Sequence, residues 1–313
     1  MKLLHIGLMA NGKNEGLSKA FRSACNKYYE VNPGDSALEG KLSQIDFLPD
    51  IVFCQIQSEK LQDRDTCDVL GRHLDLMRQK GSYVINWTGD IRYGIPPWMV
   101  RFGNHVDLTC FSNERDIKEF GGPSAFLQIG VDAEIFNSTG EPKADREIVF
   151  MANHYGNQFP LGGFRKNMTE ALKRRYGARF GLYGNFPGAD GNYNVQNDDV
   201  QYWQGEEAAI YRGCRIAISI SNYQVERYTS DRLIRILGCG AFCLAHWYPK
   251  IEEEFPEVVT FNTLQELFEK CDYYLQNPKE ALKIADKCAE RVKLHHTYDA
   301  MVRDIFNLVK VAV

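Results

Sequence analysis

The sequence predicts an α/β protein made of two consecutive, doubly wound parallel-sheet domains. Three observations carry this. Short, continuously apolar runs alternate with helix-like segments through both halves, the pattern of strands covered on both faces. A polar stretch at 137–146 (NSTGEPKADR), with Ala144 its one apolar residue, separates the halves as exposed linkers do. The length of 313 residues suits two domains.

In the first half, the apolar start at 2–9 reads as a buried strand and 15–27 has helical spacing. Four more short apolar runs follow: 50–55 (DIVFCQ), 82–87 (SYVINW), 107–112 (DLTCFS) and 125–130 (AFLQIG). Helix-like segments at 66–79 and 113–120 lie between them, the second with Ser112 or Asn113 as its cap. The second half repeats the pattern, with strands expected at 147–152, 179–183, 215–220, 241–245 and 258–261. A helix at 164–176 is stopped by Gly177, and another spans 230–237. The tail reads as three helices, 263–275, 278–294 and 298–309, with Pro278 at a first helical position and Thr297 as an N-cap. The expected domains are 1–136, 147–297, and a final helix 298–313.

Composition narrows the function. Hydrophobic residues at 44% and charged residues at 25% are ordinary for a globular chain. A net charge of −4 disfavours attachment to nucleic acid by bulk charge, and residues 1–135 alone carry −3. No apolar run approaches the roughly 18–20 residues of a membrane span. The opening MKLLHIGLMANGK turns polar too soon for a signal peptide. Nine cysteines without a CxxC pair argue against a zinc site and for free thiols in a reducing compartment, the cytoplasm.

In open parallel sheets, ligands bind beyond the carboxyl ends of the strands. There the first half offers Asn11 and Gly12, a turn that lets backbone approach an anion. It also offers Asp90 and Arg92 in the run NWTGDIR, a carboxylate able to take a proton from an acceptor hydroxyl beside a cation that orients it. In the second half, Asn153 lies in ANHYGN, and Gly184 and Asn185 in LYGN, where amides and backbone suit ribose, phosphate or base. The third strand ends at Tyr223, followed by Arg227, Tyr228, Ser230, Asp231 and Arg232 at a helix start, a setting for a diphosphate. Among the aromatics, Trp87 or Trp98 is expected near the cleft.

The run SDRLIRILGCGAFCLAHWYP, with its polar-cap helix, Gly-x-Gly stop and returning strand, resembles the donor-domain signature of GT-B glycosyltransferases. In particular it is similar to the spore-maturation-protein-B-like, family-1-type members, many of them phage-borne. The tail with Tyr273, Tyr274, Asn277–Pro278 and HHTY at 295–298 fits the same pattern, as do NWTGDIR and SNERD. The resemblance implies two Rossmann-like domains facing a cleft, with the last helix crossing back. It implies a nucleotide-sugar donor, a UDP-sugar foremost, held by the C-terminal domain without a bound metal. Asp90 and Arg92 become the catalytic residues. Phage-borne relatives imply a hydroxymethylated DNA base as acceptor, with a saccharide as the other class. One position departs: many GT-B enzymes carry a ribose-binding glutamate where this chain has Arg235.

Overall fold

The computed structural model describes residues 1–7, 15–33, 38–56, 64–89, 94–143, 146–191 and 200–312, with the side chains of 64–68, 200–203, 311 and 312 excepted. The chain forms two compact units. The first comprises Met1–Ile129 and Tyr298–Val313, the second Gly130–Thr297.

The first unit runs β1 (Lys2–Ile6), α1 (Glu15–Ala24), β2 (Lys27–Val31), α2 (Leu38–Ser43), β3 (Ile51–Cys54), α3 (Arg64–Gln79), β4 (Tyr83–Thr88), α4 (Pro97–Gly103), β5 (Leu108–Phe111), α5 (Glu114–Phe120) and β6 (Ser124–Phe126). Its sheet is parallel throughout, in the order β2-β1-β3-β4-β5-β6. The interior strand β3, IVFC, is buried at every residue, as a strand covered on both faces requires. β2 is the edge strand KYYEV, half-exposed and polar, and so lacks the apolar run that marks the others. Asn113 caps α5, its side chain accepting from the Asp116 N–H at 2.9 Å.

The second unit runs β7 (Ile148–Met151), α6 (Gly162–Tyr176), β8 (Phe180–Tyr183), α7 (Val200–Gly213), β9 (Ile216–Ser219), α8 (Asp231–Gly238), β10 (Cys243–His246), α9 (Ile251–Glu254), β11 (Val259–Phe261), α10 (Leu264–Gln276) and α11 (Pro278–His295). The strands are again parallel, ordered β11-β10-β9-β7-β8. The last helix, α12 (Tyr298–Ala312), packs on α1 in the first unit. Its Met301, Val302 and Ile305 are buried with Leu3, Phe21 and Phe53. Each such side chain stabilises by about 1.5–3 kcal/mol.

Both sheets have the doubly wound topology that the sequence predicts. Trp87 and Trp98 belong to the core instead of a ligand surface: both are buried, and the Trp87 indole N–H donates to the Leu127 carbonyl at 2.9 Å. Among the described cysteines all are free thiols. Burial raises those of Cys214, Cys271 and Cys288 to about 12, which makes them inert small hydrophobes at neutral pH.

His5 on β1 is fully buried, its ring nitrogens 3.0 Å from the Tyr28 hydroxyl and 2.8 Å from the Gln55 amide oxygen. Burial pulls its pKa down from 6.5 to about 4. Between these values the unfolded chain takes up a proton that the folded one refuses, so stability falls as pH drops from 6.5 towards 4. The shift corresponds to about 3 kcal/mol. Thermal melts from pH 7 to 4.5 should show this slope, and His5→Gln should reduce it, leaving the share of His296, which burial also lowers to about 4. An unchanged slope in that variant would remove His5 as its cause.

Candidate functional site

In the second sheet the chain leaves β7 for β8 on one side and later places β9 on the other. The crevice at such a reversal, outside the carboxyl ends of the strands, is where open parallel sheets bind ligands. Four segments meet there.

Beyond β7 and β8, Ala152 N–H donates to the Tyr183 carbonyl at 3.0 Å. Gly184 follows with φ +115°, and a Cβ there would lie 2.0 Å from the Ala152 carbonyl oxygen. Only glycine fits this approach. Asn185 then spans the gap, its side-chain oxygen accepting from the His154 N–H and its amide donating to the His154 carbonyl at 3.4 Å. The Asn153 amide donates to the Tyr155 hydroxyl at 3.3 Å. The structure thus brings Asn153, Gly184 and Asn185 together beyond β7 and β8.

Two arginines converge on the same strand ends. Arg165, from the first turns of α6, is 3% exposed. It donates to the Asn153 carbonyl at 2.9 Å and to the Asn222 side-chain oxygen, while its buried Nε has no partner. Arg232, from the first turn of α8, donates to the Ile220 carbonyl at 2.8 Å. Both guanidinium carbons lie near the Phe150 ring on β7, at 5.7 and 5.8 Å from its centroid. Among the described residues neither forms an ion pair. Burial, with the neighbouring Arg232 charge, lowers the Arg165 pKa to about 9, so it remains a cation at pH 7. Two like charges held at one crevice, hydrogen-bonded to neutral acceptors among the described residues, are able to receive an anion.

The remaining donor-side residues divide. Ser230 is the N-cap of α8 by backbone geometry, but its side chain makes no cap hydrogen bond. Asp231 takes that task, accepting from the Arg232 N–H at 2.8 Å, and pairs with Arg235 at 2.9 Å. Arg227, at φ +59°, pairs with Glu254 at 3.0 Å, and the Thr229 hydroxyl also donates to that carboxylate at 3.0 Å. Its charge is therefore paired inside the protein, whereas Arg165 and Arg232 form no ion pair among the described residues. Tyr223 is buried and packs edge-on against Phe159 and Tyr228. Arg235 is held between Asp231 and buried Glu207, at 3.1 Å from the latter. Asn11, Gly12, Asp90 and Arg92 lie outside the described residues.

Arg165 and Phe150 are absent from the residues that the sequence singles out, whereas Asn222 lies in the run SISNY that ends the third strand and is, with Tyr223 and Asp231, a candidate for the ribose contact. A signal for Arg165 did exist. It shares the buried stripe of α6 with Met168, Thr169, Leu172 and Tyr176, and an arginine in such a stripe needs a reason.

Among the described residues no group of three or more His, Cys, Asp or Glu could hold a metal ion, and no helix is long and apolar enough to cross a membrane. No curated protein matches the sequence. Residues 165–307 match the model of the glycosyl transferase-like family. Several solved structures are similar across nearly the whole chain. An α-glucosyltransferase in complex with UDP and a 13-mer DNA superposes with TM-score 0.67 at 10% identity, covering 99% of this chain and 100% of that one. The sucrose-phosphate synthase of Thermosynechococcus elongatus gives 0.64 at 11% identity, covering 100% and 99%. The N-terminal domain of trehalose-6-phosphate phosphatase from Candida albicans gives 0.62 at 10% identity, covering 99% and 90%. With its two parallel-sheet units and its returning C-terminal helix, the chain has the GT-B fold.

Proposed function

We propose that the protein is a glycosyltransferase that moves a sugar from a nucleoside-diphosphate donor, a UDP-sugar foremost, to an acceptor hydroxyl. The observation that carries the reading is the pair Arg165 and Arg232, two cations at the carboxyl ends of β7 and β9 that form no ion pair among the described residues. A diphosphate would pair with both. In the reaction the acceptor oxygen bonds to the anomeric carbon while the bond from that carbon to the diphosphate oxygen breaks. Negative charge grows on the leaving diphosphate, and fixed cations there lower the barrier as preorganised electrostatics. Asn153, Gly184 and Asn185 would hold the nucleoside part, together with Tyr223, Tyr228, Ser230 and Asp231. Asn11 and Gly12 would approach the donor from the first unit, and Arg227 would fix the chain leading into α8.

Asp90 is the proposed acceptor-side base, with Arg92 beside it. The acceptor class to test first is the hydroxymethyl group of a modified pyrimidine in DNA, since a glucosyltransferase of the same fold is known in complex with UDP and DNA. A base must leave the helix stack to reach such a site. Saccharide hydroxyls are the second class.

A thermal-shift panel of nucleoside diphosphates and their sugars tests the donor reading, because a ligand bound only by the folded state raises the melting temperature. One nucleoside diphosphate should raise it clearly, UDP before the others. Asp90→Asn should keep that shift and lose roughly 10²–10⁴ of turnover. No shift from any of the panel at millimolar ligand would overturn the donor assignment.

A further inference from the structure

We infer that Asn86 and Thr88, at the carboxyl end of β4 in the first unit, are the residues that choose the acceptor, and that the group they recognise is the polar edge of a nucleobase. The inference rests on the transfer reading above and deepens it on the acceptor side.

Alternate side chains of a strand share one face, so Val84, Asn86 and Thr88 form a row on β4. Val84 belongs to the buried cluster of Ile56, Trp98, Met99 and Phe111. In the register of the sheet Cys54 lies beside Asn86, and Phe111 beside Thr88, both fully buried. The row thus turns polar where β4 ends, while its neighbours stay apolar. Asn86 and Thr88 are each 1% exposed. The Asn86 side-chain oxygen accepts from the Ile56 N–H at 3.1 Å, just beyond β3. That bond settles which end of the carboxamide is which, because only the oxygen accepts. Its Nδ2 is left without a partner among the described residues, and so is Thr88 Oγ1.

Buried polar groups are rarely left so, because each loses its hydration and gains nothing in return. Valine has the shape of threonine and would avoid the loss at position 88. A bound group that accepts from Nδ2 and bonds the hydroxyl gives both side chains a use, and the carboxyl end of a parallel strand is where ligands arrive. The pair is closed to solvent, so the ring enters by parting the side chains over it. The surroundings limit its chemistry. Neither side chain is charged, which suits a neutral group. A saccharide ring carries a hydroxyl on most of its carbons, and each needs a partner once buried, more than an amide and a hydroxyl among apolar residues supply. A nucleobase is apolar on both faces and polar only along its edge. Asn86 donates to a ring nitrogen or carbonyl on that edge, and Thr88 gives or takes a hydrogen bond beside it.

Titrations with 5-hydroxymethyl-2′-deoxycytidine, methyl α-glucoside and UDP, together with thermal melts, test the assignment. The wild-type protein should bind the nucleoside and not the glucoside. Thr88→Val should weaken the nucleoside at least roughly tenfold, the scale of one hydrogen bond, while it keeps the UDP affinity and melts at or above the wild type. Thr88→Ser should bind the nucleoside as the wild type does, yet melt lower, since it keeps the hydroxyl and loses the methyl. Binding and stability thus move in opposite directions in the two variants, which a structural role cannot produce. Asn86→Asp keeps an acceptor for the Ile56 N–H and removes the free donor, so it should weaken the nucleoside too; wild-type affinity there would remove Asn86 from the subsite. A Thr88→Val protein that melts well below the wild type, or binds the nucleoside equally well, would overturn the inference. Binding of the glucoside in place of the nucleoside would overturn the nucleobase class, and binding of neither at millimolar concentration would overturn the subsite. Loss of UDP binding alone, with the nucleoside results intact, would overturn the donor reading and leave this one standing.

Discussion

Arg165→Gln is expected to weaken UDP binding by about 10²-fold, with the unliganded protein melting close to the wild type. The two halves of the expectation have one cause. Arg165 is buried beside Arg232 and satisfied by neutral acceptors, the Asn153 carbonyl and the Asn222 side chain, over the Phe150 ring. In the empty protein its charge is a burden, because burial and the Arg232 charge both oppose it. Glutamine removes that burden along with the hydrogen bonds, so the net change in stability is small. In the complex the charge faces phosphate, and each charge-assisted hydrogen bond contributes about 1.5–3 kcal/mol. Arg232→Gln should behave alike, and the double variant should lose less than the sum, since both cations share one anion. Titration of the four proteins with UDP completes the cycle. Additive losses would mean that the two arginines contribute to UDP binding independently, without sharing one anion, and an unaltered affinity in Arg165→Gln would remove the anion site from this crevice.

The two-sheet architecture is legible in the sequence because its interior strands bury both faces and therefore write themselves as unbroken apolar runs, as IVFC and IAIS do. β2 escapes that rule as an edge strand, with Lys27 exposed and Glu30 half-buried, accepting from Tyr28 and Arg22. The site is legible in part. Residues next to a strand end, such as Asn153 and Gly184, follow from topology alone. Arg165 leaves only an indirect local sign, its place in the buried stripe of α6, because its partner Asn222 lies 57 residues away. Charge also misleads without partners in view. Arg227 and Arg232 are indistinguishable by type and neighbourhood, yet Glu254 pairs with the first and, among the described residues, no carboxylate pairs with the second. Arg235, which stands where the resemblance expects a ribose-binding glutamate, is explained by Glu207, 28 residues earlier.

Gly184→Ala should destabilise the protein by about 2–4 kcal/mol and weaken UDP binding as well. Strain alone costs part of this, because φ +115° lies where a side chain is rarely tolerated. Overlap costs the rest. The added methyl would lie 2.0 Å from the Ala152 carbonyl oxygen and 2.9 Å from its carbon, both backbone, so no rotamer change relieves it. The end of β7 must then part from the end of β8, where Ala152 N–H meets the Tyr183 carbonyl. Asn153 moves with Ala152, and the Asn153 carbonyl is what holds Arg165. A packing fault at a turn thereby reaches the anion site through two adjacent residues. Gly205→Ala is the matched control. It is exposed on α7, with nothing within 4 Å of the new Cβ, and should stabilise by about 0.5–1 kcal/mol as glycine-to-alanine changes in helices do. Urea melts of both variants, with and without UDP, read the two effects together. If Gly184→Ala matches the control in stability, the close approach of β7 and β8 is wrong. If it is destabilised but binds UDP with wild-type affinity, the coupling through Asn153 to Arg165 fails, and the anion site is held by α6 and β9 alone.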